Sequence, residues 1–128
     1  MRPTPAIPPK RQGLSRLLHA LGYSWSGLQI AWTEPAYRQE ALAAIVLIPA
    51  AFWLATDWAT TVLLIGSVLM VMVVEILNTA IEAVVDRVGP EWHELSKRAK
   101  DLGSASVLLS LLFCAGVWGS AIWRWWLS

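Results

Sequence analysis

A chain of 128 residues that is 56% hydrophobic and only 15% charged lacks the composition of an ordinary soluble domain, in which about a quarter of residues carry charge. Its mean hydropathy of +0.52 points instead to one small integral membrane domain. The net charge of +1, with most charges gathered in residues 2–40 and 75–101, gives no support to nucleic-acid binding, and the single cysteine, Cys114 in an apolar run, excludes an internal disulfide and reads as a small packing hydrophobe.

Residues 1–13 are basic and Pro-rich, lack the apolar core of a signal peptide, and are expected to be a retained tail without fold. From Leu14 the apolar positions Leu17, Leu18, Leu21, Trp25, Leu28 and Trp32 recur at helical spacing, with Ser15, Arg16, His19, Ser26 and Gln29 falling elsewhere around the helix. That pattern predicts an amphipathic surface helix over about 14–33, lying at the lipid headgroup boundary. Thr33-Glu34-Pro35 marks a break and restart, since proline suits the first helical turn and a preceding acid can cap the exposed amides.

The uncharged run 41–56 extends to a first span over about 36–56, which Pro49 is expected to kink. After a tight Asp57-Trp58 turn a second span runs over about 58–88 and stops at Gly89-Pro90. The polar segment EWHELSKRAKDLG leads into a third span over about 97–126, anchored by Trp123, Arg124, Trp125 and Trp126. The fold class is therefore all-α: three transmembrane helices behind an N-terminal surface helix. Lys10, Arg11 and Arg16 precede the first span and Arg87, Lys97, Arg98 and Lys100 lie between the second and third, while the first connection has no basic residue. By the positive-inside rule the N-terminus and 87–101 face the cytoplasm.

The second span carries Glu75, Asn78, Glu82 and Asp86 on one face at about 100° per residue. An ionisable group at the centre of a span costs about 2.5–3.5 kcal/mol even on insertion scales, so such a stripe calls for chemistry or compensating partners. Read from the residues alone, Glu75 is either a base strengthened by apolar surroundings or an interhelical contact. Asn78 orients a neighbour or glues helices; Glu34 reads as a helix cap; Lys100, Asp101 and Glu94 as solvated surface charges; Arg16 as a headgroup contact; and His93 as simply exposed.

The stretch VEILNTAIEAVVDRVGPEWHELSKRAKDLGSASV resembles the signature of the prokaryotic diacylglycerol kinases, small integral membrane enzymes unrelated to soluble lipid kinases. Their Glu-x-x-Asn-[Ser/Thr]-x-x-Glu-x-x-x-Asp pattern is met by Glu75, Asn78, Thr79, Glu82 and Asp86, and the similarity reaches back through YRQEA and RLLHALGYSWSGLQIAW. The resemblance implies ATP- and magnesium-dependent phosphorylation of diacylglycerol to phosphatidic acid, in phospholipid recycling at the bacterial cytoplasmic (inner) membrane. It further implies a homotrimer whose active sites lie between neighbouring subunits.

Carried over residue by residue, the resemblance makes Glu75 the general base, with Asn78 and Lys100 completing the catalytic set. Glu34 and Glu82 become the Mg²⁺ carboxylates. Arg16, Tyr23, Glu34, Glu82, His93, Glu94, Lys100 and Asp101 fall to ATP, and Arg16, Ser24, Arg38, Glu75 and Ser104 to the lipid substrate. Gln39 and Glu40 are expected near the headgroup or the site entrance. No P-loop, Gly-rich kinase loop, HRD or DFG motif is present in the sequence. Phosphoryl transfer needs chiefly in-line positioning and charge neutralisation, so carboxylate-held magnesium, one lysine and a base form a sufficient set.

Two other activities compete. Undecaprenol kinase, of the same family, shares the Glu-x-x-Asn core, but IEAVVDR favours the diacylglycerol branch. A proton-coupled exporter needs one membrane Glu and no cytoplasmic Lys/Asp/His cluster.

Overall fold

The computed structural model describes residues 12–128, which form four helices: α1 (Gly13–Ala31), α2 (Pro35–Leu54), α3 (Trp58–Val88) and α4 (Glu94–Trp126). The tail expected over 1–13, with Lys10 and Arg11, lies outside the described residues except for its last two positions. The chain divides into two compact units, Met1–Ile30 and Ala31–Ser128. In the first, α1 is exposed as far as Ile30, and His19 Nδ1 and Ser24 Oγ bond back to the carbonyls of Ser15 and Ala20 at 2.8 and 3.0 Å.

The ends of the helices in the second unit have local causes. Glu34 precedes Pro35 in extended conformation but makes no side-chain cap bond. The expected capping role is therefore not the one it plays, and its carboxylate is left for other contacts. Asp57 does cap α3: Oδ1 accepts from Thr60 N at 3.0 Å and Oδ2 from Thr60 Oγ1 at 2.7 Å. These bonds hold the Asp57 carboxyl below the usual carboxylate range. The helix ends at Gly89, whose φ of 156° is one that residues with a side chain rarely adopt, and Pro90 cannot continue the ladder. His93 opens α4 by accepting the Leu95 amide on Nδ1 at 3.1 Å, a cap the sequence does not announce because histidine is not among the preferred N-cap residues. α2 runs through Pro49 without interruption.

α3 is the central element, packed along α4 and along α2, while α2 and α4 barely meet. The buried positions follow a 3-4 alternation in each helix, the spacing of a knobs-into-holes seam. In α2 the seam is Tyr37, Glu40, Ala44, Leu47, Ala51 and Leu54; in α3 it is Thr61, Leu64, Val68, Val71, Glu75 and Asn78, with Glu82 exposed where the spacing next falls; in α4 it is Gly103, Val107, Ser110, Cys114, Val117 and Ala121. With the neighbouring Trp118 its apolar members Ala44, Ala51, Leu54, Leu64, Val68 and Ala121 form one buried cluster. There the Trp118 Nε1 donates to the Leu64 carbonyl at 3.2 Å, and the buried Ser67 hydroxyl bonds that same carbonyl at 2.9 Å while approaching Cys114 Sγ at 3.6 Å.

Outside the seam, large apolar side chains such as Trp53, Val84, Leu109 and Trp126 are exposed, which suits lipid rather than water. Among the described residues two helices, α3 and α4, are long and apolar enough to cross a membrane. At 1.5 Å per residue each exceeds the roughly 30 Å hydrocarbon core. α2 does not reach that standard, because its first turns carry Arg38, Gln39 and Glu40 and leave an apolar stretch only from Ala41.

Two outcomes follow for stability. Trp118→Phe removes the indole donor and part of the ring volume from the buried cluster, and is expected to lower stability by about 1–3 kcal/mol in thermal or denaturant unfolding in lipid. Asp57→Ala removes the α3 cap and lowers the unfolding temperature. Because the folded Asp57 carboxyl titrates below its unfolded value, its contribution is present above the ordinary carboxylate range and is lost as pH falls through the folded value. The variant therefore differs from the parent at neutral pH and converges with it in acid.

Candidate functional site

At the end of the seam near Gly89 the apolar residues give way to polar ones while the spacing persists. Glu75 is the one charged residue among the buried side chains, 8% exposed. One turn on, Asn78 is half-buried and donates from Nδ2 to Glu82 Oε1 at 3.4 Å. Glu34, before α2, and Glu82 both lie close enough to Glu75 for their charges to act on it. Glu40 joins them: it faces the Glu75 charge, and its Oε2 is buried without a hydrogen-bond partner. Four carboxylates thus gather from α2, the residue just before it, and α3. The two ion pairs found among the described residues, Lys97 with Asp101 and Lys100 with Asp86, involve none of them.

Such a set fits a hard divalent cation. The donors are all oxygen, none of the four acids is in an ion pair among the described residues, and Glu34 makes no cap bond. Among the described residues no three acid, His or Cys side chains converge tightly enough to close a metal site by themselves; magnesium commonly takes one or two carboxylates and completes its octahedron with phosphate oxygens and water.

A second group lies beside the first. Lys100 Nζ donates to Asp86 Oδ1 at 2.6 Å, joining α4 to α3, and the Glu82 charge also acts on it. Around this pair a cavity of about 430 Å³ is lined by Asp86, Trp92, His93, Lys97, Lys100 and Asp101, among others. Lys97 and Asp101 bond each other across one turn of α4.

The residues singled out in the sequence therefore fall into distinct places. Glu34, Glu75, Asn78 and Glu82 share the carboxylate cluster, and His93, Lys100 and Asp101 share the cavity, with Glu82 linking the two. Glu94 begins α4, and Arg38 and Ser104 are exposed on α2 and α4. Arg16, Tyr23 and Ser24 are exposed on α1, in the other unit.

Glu40, expected near the headgroup or the site entrance, stands on the seam beside Glu75. Its signal was its position: three after buried Tyr37 and four before buried Ala44, it occupies a seam site. Gly103 was overlooked, and it is the point on α4 against which Asn78 packs.

A sequence model of the prokaryotic diacylglycerol kinase family matches residues 22–122. The chain belongs to the prokaryotic diacylglycerol kinase family. It is 54% identical over 112 residues to diacylglycerol kinase of Escherichia coli K12, covering 87% of this chain and 92% of the relative. Against the Haemophilus influenzae enzyme of the same name the identity is 47% over 114 residues, covering 88% and 97%, and against that of Pseudomonas aeruginosa 45% over 111 residues, covering 86% and 90%. In this member of the diacylglycerol kinase family, all of α2 and α3 fall inside the family match, and so do Glu34, Lys100 and Gly103.

Like charges crowded into a packing seam oppose folding. Glu40→Gln is expected to raise the unfolding temperature by a few degrees in magnesium-free buffer, and added magnesium is expected to stabilise the parent more than this variant. Scanning calorimetry or thermal aggregation with and without the ion measures both effects.

Proposed function

We propose that this chain transfers the γ-phosphoryl group of ATP to the free hydroxyl of diacylglycerol, forming phosphatidic acid at the cytoplasmic face of the bacterial inner membrane. The single observation that carries this reading is the uncompensated carboxylate cluster around buried Glu75, in a chain whose relatives are named diacylglycerol kinase.

Glu75 accepts the proton of the lipid hydroxyl as its oxygen attacks the γ-phosphorus; the new O–P bond forms as the bond to the bridging oxygen breaks, and ADP leaves. Burial of Glu75 places its carboxylate where the proton transfer is shielded from bulk water. Glu34 and Glu82 hold magnesium, which when bound neutralises charge on the β- and γ-phosphates. Asn78, bonded to Glu82, holds that carboxylate in place beside Glu75. Lys100 offers a compact positive charge to the phosphates and exchanges Asp86 for them when nucleotide enters the cavity that His93 and Asp101 also line. Glu94 lies next to that cavity at the start of α4. From the family resemblance, Arg16 and Tyr23 are assigned to the nucleotide and Arg16, Ser24, Arg38 and Ser104 to the lipid substrate.

The architecture proposed with this chemistry has α2 as a third span and residues 87–101 in the cytoplasm, and the N-terminal tail lies on the same side. It is a homotrimer with sites shared between subunits. The exposed apolar side chains of α3 and α4 favour helix neighbours or lipid around them, and three helices alone enclose the cluster incompletely. Chemical cross-linking in lipid measures the subunit number.

Purified full-length protein in bilayers with Mg-ATP is expected to phosphorylate diacylglycerol, and Glu75→Gln, while still assembled, to lose turnover by about 10²–10⁴-fold, the usual worth of a general base. A lipid panel with labelled ATP decides the substrate: a preference for undecaprenol would reassign the acceptor, and retained turnover in Glu75→Gln would remove the base.

A further inference from the structure

We propose that Gly103 is a positioning residue for the phosphoryl-transfer site: the missing side chain at this point of α4 sets the direction in which the Asn78 amide faces. The inference rests on the reading of Asn78 and Glu82 as members of that site.

The amide of asparagine has a donor end and an acceptor end, and at this position they are not interchangeable. Glu82 as a carboxylate can only accept, so the Nδ2 end must face it, as it does at 3.4 Å. The carbonyl end is thereby turned toward α4. Its Oδ1 is buried and has no hydrogen-bond donor, an arrangement that persists only because the facing surface of α4 is bare backbone. A Cβ placed on Gly103 would overlap Asn78 Oδ1, and it would stand 3.3 Å from Cγ and 3.9 Å from Cβ of the same side chain.

Gly103 itself is buried and sits inside a helix, where glycine is less favourable than alanine. The other glycines of α3 and α4 have no such reason: at Gly66, Gly116 and Gly119 an added Cβ meets nothing within 4 Å. The absence of a side chain is thus coupled to one partner, and that partner belongs to the polar stretch of the α3 seam.

The amide cannot evade an added methyl by swapping ends, because its carbonyl would then face the Glu82 carboxylate. Nor can it move aside and keep its bond, since 3.4 Å is already at the outer limit for an N–H···O contact. A side chain at position 103 therefore releases Glu82 from Asn78 and leaves both free to rotate, with the seam spacing of the helices otherwise unchanged.

The test is a double-mutant cycle in the full-length protein in bilayers, reading kcat and KM for Mg-ATP and for diacylglycerol together with thermal unfolding. Gly103→Ala is expected to lower kcat by about tenfold or more while the KM for diacylglycerol stays within about twofold. In the Asn78→Ala background the same glycine substitution is expected to change kcat by less than about twofold, because the colliding amide has gone and only the Cβ at position 78 remains. If Gly103→Ala alone fails to assemble, the double variant is expected to regain assembly for the same reason.

Wild-type kcat in Gly103→Ala, an equal loss of kcat in both backgrounds, or failure of the double variant to assemble would each overturn the inference. The two readings separate cleanly: impaired Asn78→Ala beside normal Gly103→Ala rejects only the role of the glycine, whereas full turnover in Asn78→Ala removes Asn78 from the site and the glycine's role with it.

Discussion

Carboxylates on a packing seam impose the constraint from which the rest of this fold follows. The 3-4 spacing that brings Ala51, Leu64 and Ala121 together at one end of the second unit continues without a phase change to Glu40, Glu75 and Asn78 at the other. A seam is defined by helices approaching closely, so residues there are forced into proximity whatever their chemistry. At the apolar end that proximity yields dispersion contacts and the Trp118 to Leu64 hydrogen bond. At the polar end it yields like charges facing one another, none of them in an ion pair among the described residues.

The two ends depend on each other. Acidic groups drawn together in weakly solvating surroundings repel strongly, and the helices would part around them were they not pinned further along. The buried contacts of Leu64, Ser67 and Trp118, with the Asp57 cap that fixes where α3 starts, supply that anchorage. Outside the seam, Lys100 reaching from α4 to Asp86 on α3 ties the helices on the flank of the cluster. Both partners are substantially exposed, so the pair adds little to stability and its charge remains free to change partners. In the proposed chemistry those properties are what a phosphate-binding lysine needs: it is held near the site and released at small cost.

Much of this was legible in the chain. A polar stripe in an apolar helix is a periodicity statement, and Glu75, Asn78 and Glu82 fall on one line of α3 because 3.6 residues per turn puts them there. The breaks at Glu34-Pro35 and Gly89-Pro90 likewise follow from proline and from a glycine φ that other residues avoid. What escaped the sequence was relative placement between helices. Glu40 in YRQE could be placed only near the headgroup or the site entrance, because its burial is decided by which face of α2 meets α3. Glu34 looked like a cap because an acid before proline usually is one, yet its side chain makes no cap bond. His93 turned out to cap α4, using a ring nitrogen in a position where sequence preferences look for Ser, Thr, Asp or Asn. Gly103 carries no side chain to read, and its meaning appears only when Asn78 is seen against it. The first span was expected on hydropathy, but the charged opening turns of α2 leave it shorter and less apolar than α3 and α4.

The central claim is that the seam acids are retained for chemistry and against stability. Thermal unfolding and lipid phosphorylation measured together on Glu75→Leu test it most directly, since leucine restores an apolar seam of similar volume at that position. The account predicts a protein that unfolds at a higher temperature than the parent and transfers no phosphate. A variant that unfolds at a lower temperature, or that still phosphorylates lipid, would contradict it.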